Sequence, residues 1–124
     1  MKLSAKAFEA AVERAIARIP ESIRRHLDNL AIFVERRPSR ELLDEMGVPK
    51  GETLFGVFTG VPLNERSVTE PPLYPDEILI FQEPLEHWCR DREALEREIE
   101  ITVVHEVAHY MGLDDEQLEA LGYG

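Results

Sequence analysis

The spacing of apolar residues along the chain predicts an alternation of helices and short strands. Apolar positions recur every three or four residues over a predicted helix at 4–18, and the main helix is predicted at 92–111. A short helix at 40–46 is predicted from Pro38-Ser39 before it and from Gly47 and Pro49 after it. Short runs rich in β-branched and aromatic residues predict strands at 30–35, 54–59 and 78–82. Briefer helical segments are expected at 21–28, 83–90 and 114–122, and a long surface loop rich in proline and polar residues is expected at 61–76.

Residues that favour helix ends support these boundaries. Ser4 and Asp91 stand where N-caps are needed, and Asp114 followed by Gln117 forms the pattern of a capping box. Gly112 follows the last apolar position of the long helix and is suited to end it. The predicted helices 4–18, 92–111 and 114–122 therefore each carry a start signal that is independent of their apolar pattern.

The predicted helix 92–111 changes character along its length. Its first half is charged, whereas from Ile99 onward apolar residues cover most of its circumference, leaving a polar sector at Thr102, His105 and His109. A helix that is apolar nearly all round is a central, buried one. We therefore expect an α+β fold in which a small mixed β-sheet packs on this central helix.

The length and net charge of the chain argue against some classes of function. At 124 residues and 44% hydrophobic, the chain has the size of a single domain, residues 1–124, with one modest core. Lys and Arg number 14 against 25 Asp and Glu, for a formal net charge of −11. Nucleic acids and anionic membranes both require basic surfaces, so neither is expected as a partner.

The single cysteine and the N-terminal residues indicate where in the cell the protein is expected. Cys89 has no second cysteine to pair with, which suits a reducing cytosol. With only His87 nearby in sequence, we interpret Cys89 as a buried or half-buried thiol beside Trp88 rather than a nucleophile. The N-terminus lacks the apolar core of a signal peptide, and no stretch reaches the roughly 20 apolar residues of a membrane span. A cytoplasmic location is expected.

Residues 105–115 read H-E-x-x-H-x-x-G-x-x-D and carry the most specific chemistry in the chain. His105 and His109 are four residues apart, so on a helix they lie one above the other and their ring nitrogens can converge on one ion. Glu106 is about 100° further round the helix, where it reaches a metal-bound water but is badly placed as a ligand. Gly112 ends the helix, and Asp115 lies where a reversing chain can offer an oxygen to the same ion.

This pattern predicts a catalytic zinc site with one Zn²⁺ per chain. Such a site takes three protein ligands and keeps a position for water, whose proton Glu106 would accept as general base. The carboxylates available as the third ligand are Asp114, Asp115, Glu116 and Glu119. Asp114 is better explained as a helix cap and Asp115 has the favoured spacing, although a first-turn carboxylate also suits a helix dipole. The plain alternative is that His105 and His109 are ordinary helix histidines.

The chain also resembles a known family, the minimal-metalloprotease-like zincins, which are small bacterial zincin domains. The resemblance covers residues 55–63, 66–67, 73–76, 78–81, 102–109 and 112–115, with Leu118, Leu121 and Gly122. It implies that His105, His109 and Asp115 are zinc ligands and that Glu106 is the catalytic residue. The pattern is similar to metzincins as well, but Asp115 stands where most of those have histidine.

We accordingly expect a zinc metallopeptidase that acts on peptides or unfolded segments. A substrate strand could add to an exposed sheet edge, for which 78–82 is the expected strand. Tyr74, Tyr110 and Tyr123 are candidates for stabilising the oxyanion, and the sequence does not choose among them. Two other functions stay open: a zinc hydrolase of a non-peptide amide, and a metal-stabilised protein-binding module with little turnover.

Overall fold

A long helix packs against a small three-stranded sheet in a computed structural model that describes residues 1–60 and 76–123. The helices are α1 (Ala5–Ala17), α2 (Glu21–Arg24), α3 (Arg40–Glu45), α4 (Gln82–Trp88), α5 (Arg92–Met111) and α6 (Asp115–Ala120), with a 3-10 turn at Arg25–Asn29. The strands are β1 (Ala31–Glu35), β2 (Gly56–Thr59) and β3 (Glu77–Phe81). The α+β prediction is confirmed, and the predicted loop at 61–76 lies, apart from Asp76, outside the described residues.

The predicted helix ends have the expected hydrogen bonds. The Ser4 side chain accepts from the N–H of Ala7 at 3.1 Å, and the Asp91 side chain accepts from that of Ala94 at 2.8 Å. Asp114 and Gln117 form the reciprocal capping box at the start of α6. Gly112 ends α5 with φ of 75°, a left-handed conformation that glycine adopts without steric cost.

The sheet is mixed, with strand order β1-β3-β2. β1 pairs with β3 in parallel, and β2 pairs with β3 antiparallel, so that Phe33, Leu79 and Val57 lie in one row. The expectation that 78–82 is an edge strand was wrong, because β3 is the central strand and Gln82 already belongs to α4. The central strand β3 has a neighbour on each side, and three of its five residues are buried. Its apolar side chains suit this position.

The core forms where α1 and α5 meet the sheet. Phe8, Leu95, Ile99, Ile78 and Ile80 are each fully buried there. The apolar stripe predicted for the first helix faces this core, and the second half of α5 is buried over most of its circumference, as its composition predicted. No helix within the described residues is long and apolar enough to cross a membrane.

Candidate active site

The second half of α5 carries His105, Glu106 and His109 of the motif. Val103, Val104 and Val107 are buried in the core on this stretch and hold its orientation against the sheet. The positions of His105, Glu106 and His109 therefore follow from the packing of their apolar neighbours. They face the outer strand β2 and the C-terminal residues instead of the core.

Glu106 lies in a half-enclosed position between α5 and β2. Its Oε1 accepts a hydrogen bond of 2.7 Å from the backbone N–H of Phe58, and its side chain is 12% exposed. Burial raises the pKa of the Glu106 carboxyl above its ordinary value, while the neighbouring His109 and the Phe58 N–H oppose part of that shift. The helix thus presents one carboxylate of raised basicity at the edge of the sheet.

His109 lies beside this carboxylate at the surface. Its Nδ1 is 3.2 Å from Glu106 Oε1, and its side chain is 64% exposed. An ionised carboxylate can only accept a hydrogen bond, so Nδ1 carries a proton, which leaves Nε2 as the nitrogen with the lone pair when the ring is neutral. His109 is therefore in the tautomer that offers Nε2 to a metal ion.

His105 is in the opposite tautomer. Its Nε2 lies 2.8 Å from the carbonyl oxygen of Tyr123. A carbonyl oxygen only accepts, so Nε2 must donate and carries the proton. A protonated ring nitrogen has no lone pair for a metal ion, and in this arrangement His105 cannot bind one through Nε2.

The expected third ligand is apart from the two histidines. Asp115 is the first residue of α6 and is exposed, whereas Asp114 is the N-cap of that helix, as predicted. Within residues 1–60 and 76–123, no three His, Cys, Asp or Glu side chains are grouped closely enough to hold a metal ion. The residue types suit zinc, but their arrangement does not form a complete site, and Asp115 as a ligand stays a prediction.

Tyr123 is held against α5 by its side chain as well as its carbonyl. Its hydroxyl donates to Glu100 Oε2 at 2.9 Å, and Glu100 Oε1 is 3.5 Å from Arg18 Nε on α1. Loss of water and the bond to Glu100, whose charge disfavours a phenolate, raise the pKa of Tyr123 to about 12. No local pattern in the sequence indicated this docking, because its partners lie far apart along the chain.

The close approach of β2 to α5 depends on Gly56. A Cβ at this position would lie 2.7 Å from Thr102 Cγ2 and 2.9 Å from the backbone oxygen of Leu79. Glycine inside a strand is itself a signal of such an approach, so this contact could have been found from the sequence. It brings Phe58 within hydrogen-bonding distance of Glu106.

The other candidate residues that the structure describes are Cys89, Tyr110 and Tyr123. Cys89 is buried as expected, and its pKa is raised by burial and by the nearby charges of Glu98 and Asp91, which disfavours a reactive thiolate. Tyr110 is buried with its ring 5.7 Å from that of Phe58, and Tyr74 lies outside the described residues. The Tyr123 hydroxyl is bonded to Glu100.

Two cavities flank the helices. One of about 790 Å³ lies between the N-terminal residues and α4, where Gln82 and Glu86 bind the backbone of Leu3, and its lining includes none of the motif residues. The other, of about 390 Å³, is lined by Arg18, Glu100 and Tyr123 among others. The second cavity borders the residues that dock on His105.

Known proteins resemble this chain in fold and in family. A solved structure, a conserved hypothetical protein from Thermo thermophilus, is similar with a TM-score of 0.55 and 22% identity over 96% of this chain and 97% of that one, which is a likeness of fold. No protein of curated function gives a significant match. The model of the zincin-like metallopeptidases matches residues 27–124, a span that includes the whole H-E-x-x-H motif. The chain therefore belongs to the zincin-like metallopeptidase family.

Proposed function

We propose that this protein is a zinc-dependent peptidase in which Glu106 is the general base. The observation that carries the proposal is the position of the Glu106 carboxylate, between His109 Nδ1 and the N–H of Phe58 at the sheet edge. His105 and His109 would hold the metal, with Asp115 as the third ligand and one Zn²⁺ per chain. When bound, zinc supplies a Lewis acid that polarises a carbonyl and acidifies water.

Glu106 suits the role of base because of its surroundings. Burial raises its pKa, and a general base is most effective when its pKa lies near the working pH. In this role the carboxylate accepts the proton of the attacking water and passes it to the leaving amine. The nearby His109 ring opposes part of this rise in the pKa of Glu106.

The outer edge of β2 is the place where we expect an extended substrate to align. Backbone groups alternate between the two sides of a strand, and Phe55 bonds to Phe81 of the neighbouring segment while the Phe58 N–H points outward to Glu106. A peptide strand added at this edge would therefore lie directly beside the carboxylate. In this proposal, β2 is the edge strand at which the substrate adds, a role that had been expected of residues 78–82.

A second function is supported by the same hydrogen bond. If the only task of Glu106 is to accept from the Phe58 N–H, the carboxylate fastens β2 to α5 and the protein is a binding module with little turnover. Both functions predict a folded protein, but only the peptidase requires a basic group at this position. The two are separated by replacing the carboxylate with an amide.

Glu106→Gln is the decisive variant. The glutamine oxygen can still accept from Phe58, so thermal stability and zinc content should stay close to those of wild type. Hydrolysis of a peptide library should fall by a factor of about 10²–10⁴, the range for a lost general base. Glu13→Gln, an exposed position on α1 with the same change of charge, is the matched control and should keep wild-type turnover.

Metal analysis of three further variants tests the ligand assignment. His109→Ala should abolish tight zinc binding and Asp115→Ala should weaken it, whereas Asp114→Ala should cost about 1 kcal/mol of stability through the lost cap and keep its zinc. Stoichiometric zinc in His109→Ala would refute the ligand set. Absence of hydrolysis by the wild-type protein, with zinc bound, would favour the binding module.

A further inference from the structure

The C-terminal residues 121–123 occupy the nitrogen that His105 would need for a metal ion. The Tyr123 carbonyl accepts from His105 Nε2 at 2.8 Å, while the other motif histidine has its proton on Nδ1. One histidine of the pair is therefore ready to bind a metal through Nε2 and the other is not. The Tyr123 carbonyl is the group that keeps a proton on Nε2 of His105.

This carbonyl is placed by a defined set of contacts. The chain reverses at Gly122, whose φ of 91° is left-handed, and the Tyr123 N–H bonds to the Leu118 carbonyl at 3.0 Å. Leu118 is buried in the core and fixes the start of this turn. The Tyr123 hydroxyl then bonds to Glu100, which also pairs with Arg18.

The same residues have room to move. The cavity of about 390 Å³ is lined by Gly122 and Tyr123 on one side and by Arg97 and Ile101 of α5 on the other. Gly122 is exposed, and a Cβ built on it would meet nothing within 4 Å. The turn at Gly122 thus has open space around it, while Tyr123 is held by its hydrogen bonds and by partial burial against the core.

We propose that residues 121–123 form a latch whose closed position excludes a metal ion from His105, so that zinc binds only when Tyr123 leaves the imidazole. The inference rests on the proposed function, since it takes His105 as a zinc ligand. By linkage, weakening the latch strengthens zinc binding, and zinc binding releases the latch by the same free energy. The latch therefore sets the zinc concentration at which the site fills.

Two variants loosen the latch without changing the charge of the protein. Tyr123→Phe removes the bond to Glu100, and Gly122→Ala strains the left-handed turn in open space. Gly51→Ala is the matched control, because Gly51 is also left-handed, at φ of 85°, and also has nothing within 4 Å of its Cβ position. Gly51 lies in a turn that precedes β2 and belongs to another part of the surface.

The zinc dissociation constant of each variant is measured by competition with a chromophoric chelator. Tyr123→Phe and Gly122→Ala should each bind zinc about three- to tenfold more tightly than wild type, the effect of losing roughly one hydrogen bond, and Gly51→Ala should match wild type. Wild-type or weaker affinity in both latch variants overturns the latch and leaves the proposed function intact. Failure of all four proteins to bind zinc overturns both.

Magnetic resonance provides a readout that does not depend on activity. In zinc-free protein, the long-range ¹H–¹⁵N spectrum of the imidazoles should show His105 as the Nε2–H tautomer and His109 as the Nδ1–H tautomer. Saturation with zinc should remove the proton from His105 Nε2 and speed exchange of the Tyr123 amide, which is bonded to Leu118. An exchange rate of that amide that zinc does not alter overturns the latch.

Discussion

At the scale of single residues, the site is made of side chains whose partners decide their chemistry. His105 and His109 are identical in type and close on one helix, yet a carbonyl and a carboxylate give their rings opposite tautomers. Glu106 is more basic than an ordinary glutamate because it is withdrawn from water. The sequence motif identifies these residues, and the groups that contact them in the fold determine which of their atoms are protonated.

Tyr123 should ionise at unusually high pH. Its pKa of about 12 lies above the ordinary 10.0, so the folded state favours the protonated phenol. The stability that this contributes is fully present below about pH 10 and is lost as the pH rises towards about 12. In spectrophotometric titration, the tyrosinate transition missing from Tyr123→Phe should be the one near pH 12, and Glu100→Gln should lower it. A missing transition at the ordinary pKa would contradict the contact.

At the scale of elements, the position of β2 against α5 organises the site. Gly56 lets the strand come close to Thr102, and two residues further on the Phe58 N–H reaches Glu106. Among the described strands, β2 is also the outer one nearest the motif, because β3 lies between β2 and β1. The close approach of β2 to α5 thus buries the Glu106 carboxylate. The carboxylate also lies beside the strand edge where we propose that a substrate aligns.

Gly56→Ala should separate these two elements. The added methyl group would meet Thr102 Cγ2 and the Leu79 oxygen at less than 3.0 Å, so we expect a loss of about 1–3 kcal/mol in the free energy of unfolding. Chemical denaturation measures the loss. Thr102→Ser removes one of the two obstructing groups, so the double variant should lose less than the sum of the single variants. Strict additivity would show that the methyl group is accommodated in another way.

At the scale of the whole molecule, the core extends beyond the part of the chain that defines the family. The family match begins at residue 27, whereas α1 contributes Phe8, Ala11, Val12 and Ala15 to the buried core. Arg14 of α1 and Arg18, which caps the end of that helix, also pair with Glu96 of α5. These ion pairs are partly exposed and contribute little, so burial is the main link between α1 and the site helix.

Phe8→Ala should therefore destabilise the whole domain, including the site. Phe8 is fully buried, and truncation of such a side chain costs about 3–5 kcal/mol, a large part of the roughly 5–15 kcal/mol that stabilises a domain. Thermal unfolding of this variant should occur well below that of wild type. Leu121→Ala, at an apolar residue that is 41% exposed, is the control and should melt close to wild type. Equal melting of both variants would show that α1 is dispensable.

The sequence by itself determined the local structure and the chemistry of the motif. The helix caps at Ser4, Asp91 and Asp114, the three strands and the placement of H-E-x-x-H on a buried helix all follow from residues a few positions apart. Apolar periodicity and capping are local properties, so they can be read along the chain. Membership of the zincin-like family also follows from the sequence, because the family model matches residues 27–124.

The tertiary structure alone decided how these pieces meet. It placed β3 in the centre of the sheet, joined Phe58 to Glu106 across 48 residues and set the Tyr123 carbonyl on His105 across 18. Strand order and such contacts depend on which surfaces bury each other most completely, and the local pattern of any one segment does not contain that information. For that reason the motif identified the candidate metal ligands, whereas only the fold showed that one of them is already bonded to the chain's own backbone.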